Sequence, residues 1–275
     1  MSKKKRLAAQ VFFFLLQNPL IHNFFNGKIY QDKLKMLCTP GLNCYSCPAA
    51  AVSCPVGAMQ LFLAGARHSI SLFASGFLIS VGVVFGRLIC GYVCPMGLLQ
   101  DLLYRIKTPK FVVRFRFARF VKYIVLIVFV ITLPYAVRHE LSGLGAPWFC
   151  KILCPSGTIF GAIPLLAGNN SLLEFAGAQL ALKMSIAAGI VISAAIIYRP
   201  FCRILCPLGA FYSLFSKIAF LRMRCNKDKC TSCGSCAEVC DIKLNPAQNP
   251  NSPECVHCGN CVNACKARAL RYLGY

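Results

Sequence analysis

The chain has 275 residues, 57% of them hydrophobic and 14% charged, and its 30 Lys and Arg against 8 Asp and Glu give a formal net charge of +22. That composition excludes an ordinary soluble domain of this size and points to a bilayer as the solvent. Its 19 cysteines fall in repeated short spacings, which read as metal ligation rather than as a disulfide framework.

Lys3, Lys4, Lys5 and Arg6 precede an apolar stretch, Leu7 to Leu16, in the outline of a signal peptide, but no small-residue cleavage site follows. Asn18, Pro19 and His22 interrupt the run, so Leu7 to Phe25 reads as an imperfect first span, with an amphipathic surface helix as the alternative. Clean apolar runs follow at Ser69 to Gly86, Tyr123 to Val137 and Met184 to Tyr198, each bounded by basic residues. The last two are short, but the long stems of Lys122, Arg138, Lys183 and Arg199 can reach the interfaces. Thr158 to Ala167 contains Pro164 and is too short to cross, which suits a re-entrant segment. The expected fold class is an α-helical membrane protein with about four transmembrane helices plus re-entrant segments, followed by a small α+β two-cluster ferredoxin-like domain. The boundary falls between residues 218 and 219.

The basic residues flank the apolar runs. Four stand at the N-terminus, and the loop between the second and third spans holds Arg105, Lys107, Lys110, Arg114, Arg116, Arg119 and Lys122. The C-terminal region is equally basic, whereas Gly27 to Arg67 and Arg138 to Lys183 are poorer in base for their length. The positive-inside rule then predicts a multi-pass protein of the cytoplasmic membrane with both termini cytoplasmic. Topology accounts for the charge, so the bilayer is an expected partner and nucleic acid is not.

From Cys230 the chain reads Cys-x-x-Cys-x-x-Cys-x-x-x-Cys, and the pattern recurs from Cys255. This spacing lets three thiolates hold one cubane while the fourth ligates the other. The expected sets are Cys230, Cys233, Cys236 and Cys265 for one 4Fe-4S cluster, and Cys255, Cys258, Cys261 and Cys240 for a second. Gly234 and Gly259 supply small residues where the backbone folds close to sulfide, and Asp241 and Lys266 replace the usual proline after the fourth cysteine. Zinc needs neither the third cysteine nor the interlocking fourth. Cys225 is left outside both sets.

A second pattern, Cys-x-x-x-Cys-Pro-x-Gly, occurs at Cys90 with Cys94, Cys150 with Cys154, and Cys202 with Cys206; a fourth Cys-Pro-x-Gly stands at Cys54, after Cys44 and Cys47. Proline and glycine at the end of an apolar segment break the helix and turn the backbone toward a ligand. Up to two further 4Fe-4S clusters are expected here. Cys90, Cys94, Cys202 and Cys206 would form an inner one, and Cys150 and Cys154 with two of Cys44, Cys47 and Cys54 an outer one, Cys38 being a further candidate. Free thiols or outer-face disulfides are the competing reading.

These motifs resemble the NapH and NosR-type polyferredoxin membrane proteins. The likeness runs from Cys38 to Cys265 and is most specific at Asn43 to Pro48, Asn-Cys-Tyr-Ser-Cys-Pro. It implies an electron carrier, or a subunit of an oxidoreductase, that relays single electrons between a cytoplasmic redox protein and a membrane or outer-face partner. A quinol dehydrogenase subunit and a metalloenzyme maturation factor are the alternatives. There is no large outer flavin-binding domain, and Cys38, Cys44, Cys47 and Cys54 exceed the simplest NapH pattern, so no nitrate or nitrous-oxide pathway carries over. Haem is not expected, since His22, His68 and His139 offer no paired axial ligands. No nucleotide-binding motif is present either.

Overall fold

The computed structural model describes residues 3–65, 68–112, 117–138, 144–169 and 177–272. Arg67, Arg114, Arg116 and His139 lie outside the described residues, as does the side chain of His68. Within them the chain is helical apart from one two-stranded sheet.

Helix α1 (Lys3–Gln17) ends where Asn18 and Pro19 interrupt the apolar run, and a separate turn at Asn23–Asn26 follows. It does not bury an apolar stripe. Its buried residues are Gln10 and Gln17, while Phe12 and Leu16 stand exposed. Their amide nitrogens have partners: Gln10 Nε2 donates to Gly91 O and Gln17 Nε2 to Val93 O, both at 3.0 Å. Residues 37–54 then fold inward as a loop closed by Thr39 N to Ser53 O and Ser53 N to Leu37 O, each 3.0 Å.

Four elements begin at a Cys-Pro pair. Helix α2 (Pro55–Leu63) leads to α3 (His68–Phe85), whose Phe73–Phe85 portion is apolar, and a short helix α4 (Leu88–Tyr92) precedes α5 (Pro95–Leu103). In each case the cysteine is extended at the N-cap and the proline opens the helix, where its missing N–H is not needed. Helix α6 (Ala118–Ala136) follows, then α7 (Pro155–Gly168), α8 (Ala178–Ile196), α9 (Pro200–Ile204) and α10 (Pro207–Leu214). Pro134 in α6 and Pro164 in α7 each follow a wide turn, Leu126–Thr132 and Thr158–Ala162, that absorbs the lost hydrogen bond.

Two helices, α6 and α8, are long and apolar enough to cross a membrane by length and composition. The predicted first span is not one continuous helix, and α7 is a shorter apolar helix. The outer surface is rich in apolar side chains, among them Phe117, Ile124, Ile127 and Ile192. The interior holds charge. Arg87, Lys122 and Arg199 are fully buried, and Asp101 nearly so. Asp101 accepts from Arg199 Nε at 2.7 Å, from Arg6 at 3.0 Å and from Gln10 at 2.9 Å, tying α1, α5 and the start of α9 together.

The C-terminal module is closed by β1 (Met223–Cys225) and β2 (Leu270–Tyr272), antiparallel with Arg224 opposite Arg271. Between them lie α11 (Ser235–Glu238) and α12 (Asn260–Ala264), related by an internal repeat. Gly234 and Gly259 precede these helices at φ +76° and +81°, a left-handed conformation that disfavours a Cβ. Ser232 and His257, and again Lys243 and Arg268, repeat positive φ at matching positions.

Candidate iron-sulfur sites

The described cysteines gather in four groups. In the C-terminal module, Cys240 lies within electrostatic reach of Cys255 and Cys261, and Cys258 of both. Cys265 and Cys236 meet beside Cys230 at the other end, where Cys225 is a hydrogen-bonding neighbour of Cys230. The fourth cysteine of the first motif thus stands with the cysteines of the second. Burial pushes the Cys255 and Cys261 thiols up to about 12, so ligation, which needs thiolates, must release their protons. Cys233 is exposed, and the Ser235 and Thr231 hydroxyls pull it down to about 7.

In the larger region, Cys90, Cys94, Cys202 and Cys206 are buried together, from segments more than a hundred residues apart. The two segments run parallel in sequence: Arg87-Leu-Ile-Cys-Gly-Tyr-Val-Cys-Pro-Met-Gly97 and Arg199-Pro-Phe-Cys-Arg-Ile-Leu-Cys-Pro-Leu-Gly209. Their contacts are reciprocal. Arg199 donates to Cys90 O, and Arg87 to Cys202 O at 3.2 Å. A Cβ on Gly97 would meet Cys90 O at 2.8 Å, and one on Gly209 would meet Cys202 O at 2.8 Å, so both glycines are dictated by close approach.

The fourth group contains Cys44, Cys54, Cys150 and Cys154, all within mutual electrostatic reach, with Cys150 and Cys154 in hydrogen-bonding contact. They line a cavity of about 890 Å³ that also takes in Cys38, Phe149, Lys35 and Lys183. Cys47 adjoins Cys44, but its thiol points to Asn18 Oδ1 at 3.7 Å.

Contacts link the two larger-region groups. Leu42 N donates to Cys94 Sγ at 3.5 Å, and Tyr212 lies within electrostatic reach of Cys90, Cys94 and Cys206 and also of Cys54. The inward fold of residues 37–54 brings this about. At the other end, Gly91 packs against Val256 O, placing the Cys90 segment directly beneath the Cys255–Cys258 turn.

The donor sets fit iron-sulfur clusters better than lone ions. Among the described residues no three His, Cys, Asp or Glu close around a single metal ion, whereas a cubane takes one thiolate at each of four irons and needs a wider frame. A second observation concerns charge. Arg87 is fully buried, its Nε has no hydrogen-bond partner, and no carboxylate pairs with it among the described residues. An isolated buried cation is strongly unfavourable. A cluster held by these four thiolates would carry the missing negative charge, since Arg87 stands over Gly209 beside Cys202 and Cys206.

The cysteine pattern is similar to that of 4Fe-4S ferredoxin-like proteins. A family model described as a 4Fe-4S binding domain matches residues 67–117, 141–168 and 182–226, less than half of the chain. Those stretches include Cys90, Cys94, Cys150, Cys154, Cys202 and Cys206 and stop before Cys230. An uncharacterized protein of Methanocaldococcus jannaschii is 25% identical over 171 residues, 59% of this chain and 61% of its own. The methylamine utilization ferredoxin-type protein MauN of Methylorubrum extorquens is 25% identical over 195 residues, 69% of this chain and 60% of its own. The putative electron transport protein YccM of Escherichia coli is 22% identical over 187 residues, 64% of this chain and 47% of its own. In each case the match spans less than two thirds of the relative's length. No solved structure matches.

Proposed function

We propose that the protein is a membrane-embedded electron carrier that relays single electrons between a cytoplasmic redox partner and a partner in the membrane or on its outer face. Clusters bound at the four cysteine groups supply one-electron chemistry. In this reading Cys230, Cys233, Cys236 and Cys265 hold one cluster and Cys255, Cys258, Cys261 and Cys240 the next. Cys90, Cys94, Cys202 and Cys206 hold a third, and Cys44, Cys54, Cys150 and Cys154 a fourth.

The observation that carries the reading is the set of contacts linking these groups through packed protein: the Cys255 turn against Gly91, Cys94 against Leu42, and Tyr212 within electrostatic reach of both larger-region groups. The relatives named for ferredoxin-type and electron transport roles support the same chemistry. The membrane part of the proposal rests on two helices of spanning length and on the many large apolar side chains exposed on the surface. Iron decides it. Anaerobically purified protein should contain about sixteen irons with matching acid-labile sulfide, by the four-thiolate rule. About eight would confine the clusters to the C-terminal module and end the relay.

A further inference from the structure

The two larger-region cysteine groups are built on one plan, and each is completed by a glutamine. After Cys54 the chain reads Pro-Val-Gly-Ala-Met-Gln60, and after Cys94 it reads Pro-Met-Gly-Leu-Leu-Gln100. Each faces a copy of a second element: Phe149-Cys-Lys-Ile-Leu-Cys154 for the first, Phe201-Cys-Arg-Ile-Leu-Cys206 for the second. Both glutamines are fully buried.

Their hydrogen bonds are the same in both copies. Gln60 Nε2 donates to Cys150 Sγ at 3.3 Å and to Val56 O at 3.3 Å, while Gln60 Oε1 accepts from Phe149 N at 2.9 Å. Gln100 Nε2 donates to Cys202 Sγ at 3.0 Å and to Met96 O at 3.1 Å, while Gln100 Oε1 accepts from Phe201 N at 3.1 Å. The amide orientation follows from chemistry, because the Phe N–H can only donate and so requires the oxygen. The NH2 group is then committed to the preceding helical turn and to sulfur.

We infer that Gln60 and Gln100 are equivalent positioning residues, each holding the first thiolate of one cluster-binding element by an N–H···S bond and raising the reduction potential of the cluster there. This rests on the proposed presence of clusters at both groups. Reduction adds negative charge that spreads onto the ligand sulfurs, so a donor aimed at sulfur favours the reduced form. Gln60 and Gln100 are the side chains whose nitrogens donate to Cys150 and Cys202 sulfur.

The test uses the full chain in lipid or detergent, with Gln60→Met and Gln100→Met made singly. Methionine keeps an unbranched side chain and removes the donor. Iron and sulfide are counted, and every EPR signal is titrated against potential. Each variant should keep its iron and lower the midpoint of one signal by about 59 mV, a tenfold change in the ratio of reduced to oxidised cluster for a one-electron couple. The two variants should move different signals and leave both C-terminal signals in place. Unchanged midpoints, or one shared signal moved by both, would overturn the inference.

If a methionine variant loses its cluster, the corresponding Gln→Glu variant keeps an oxygen for the Phe amide. A cluster that returns with a lowered midpoint supports tuning. One that returns unchanged, or fails to return, assigns the glutamine to folding alone. Parent protein with only two clusters would instead remove the premise, an outcome visible before any variant is made.

Discussion

Lys122, fully buried in α6, donates to Glu254 at 2.7 Å, one residue before the first cysteine of the second C-terminal motif. With Arg87, which donates to Pro253 O, it fastens the module to the helical region at the turn carrying Cys255 and Cys258. Removing one partner of such a pair leaves a buried charge uncompensated, at a cost of about 3–5 kcal/mol, whereas replacing both costs far less. Glu254→Gln should therefore make the linker near residue 219 susceptible to limited proteolysis, and Lys122→Met combined with Glu254→Met should largely restore resistance. Equal resistance of the parent and Glu254→Gln would show that the pair does not hold the module.

Cys233→Ser and Cys258→Ser should each abolish one low-potential EPR signal and lower the melting temperature of the whole module. So small a domain, with one short sheet and a few buried apolar residues such as Met223 and Leu270, has little core beyond its clusters. Retention of both signals in either variant would refute the ligand sets.

Cys225 lies beside Cys230 on β1, close enough to substitute for it. Eight motif cysteines already fill two cubanes, so Cys225→Ala should retain all of its iron. Loss of about four irons per chain would make Cys225 a ligand.

Arg87→Met removes the buried cation without a carboxylate partner. It should lower the midpoint of the same EPR signal that Gln100→Met lowers, and by more, because a full charge acts where the amide offers a dipole. A shift confined to the signal that responds to Gln60→Met would contradict the placement of Arg87 at the Cys202 group.

Asn169 Nδ2 donates to Gly27 O at 3.2 Å, joining the two loops that the charge pattern puts outside. A cysteine tag at Asn169 in a cysteine-tolerant background should react with impermeant reagent only from the outer side, while protease added to the cytoplasmic side should reach residues 219–272. Labelling of the tag from the cytoplasm would overturn the orientation.

The composition and the regular cysteine spacings were legible directly, because a local motif is a covalent distance and needs no partner to be recognised. The left-handed glycines at 234 and 259 and the apolar runs in α6 and α8 follow from that information. Two repeats were also present in the sequence and went unread: Cys-Pro-x-Gly-x-x-Gln at Cys54 and Cys94, and Phe-Cys-x-Ile-Leu-Cys-Pro at Phe149 and Phe201. Their meaning is not local. Gln60 meets Cys150 across 90 residues and Gln100 meets Cys202 across 102, and only the folded chain says which element faces which. The tertiary structure likewise decided that Gln10 and Gln17 are the buried residues of α1, because the carbonyls of Gly91 and Val93 beneath it need donors. It separated Cys44 from Cys47 as neighbours of Cys150 and Cys154, a choice that spacing leaves open since both precede the same Cys-Pro turn. And it put both larger-region cysteine groups within electrostatic reach of Tyr212, because residues 37–54 fold back into the core with their ends hydrogen-bonded together, which no pattern of apolar runs encodes.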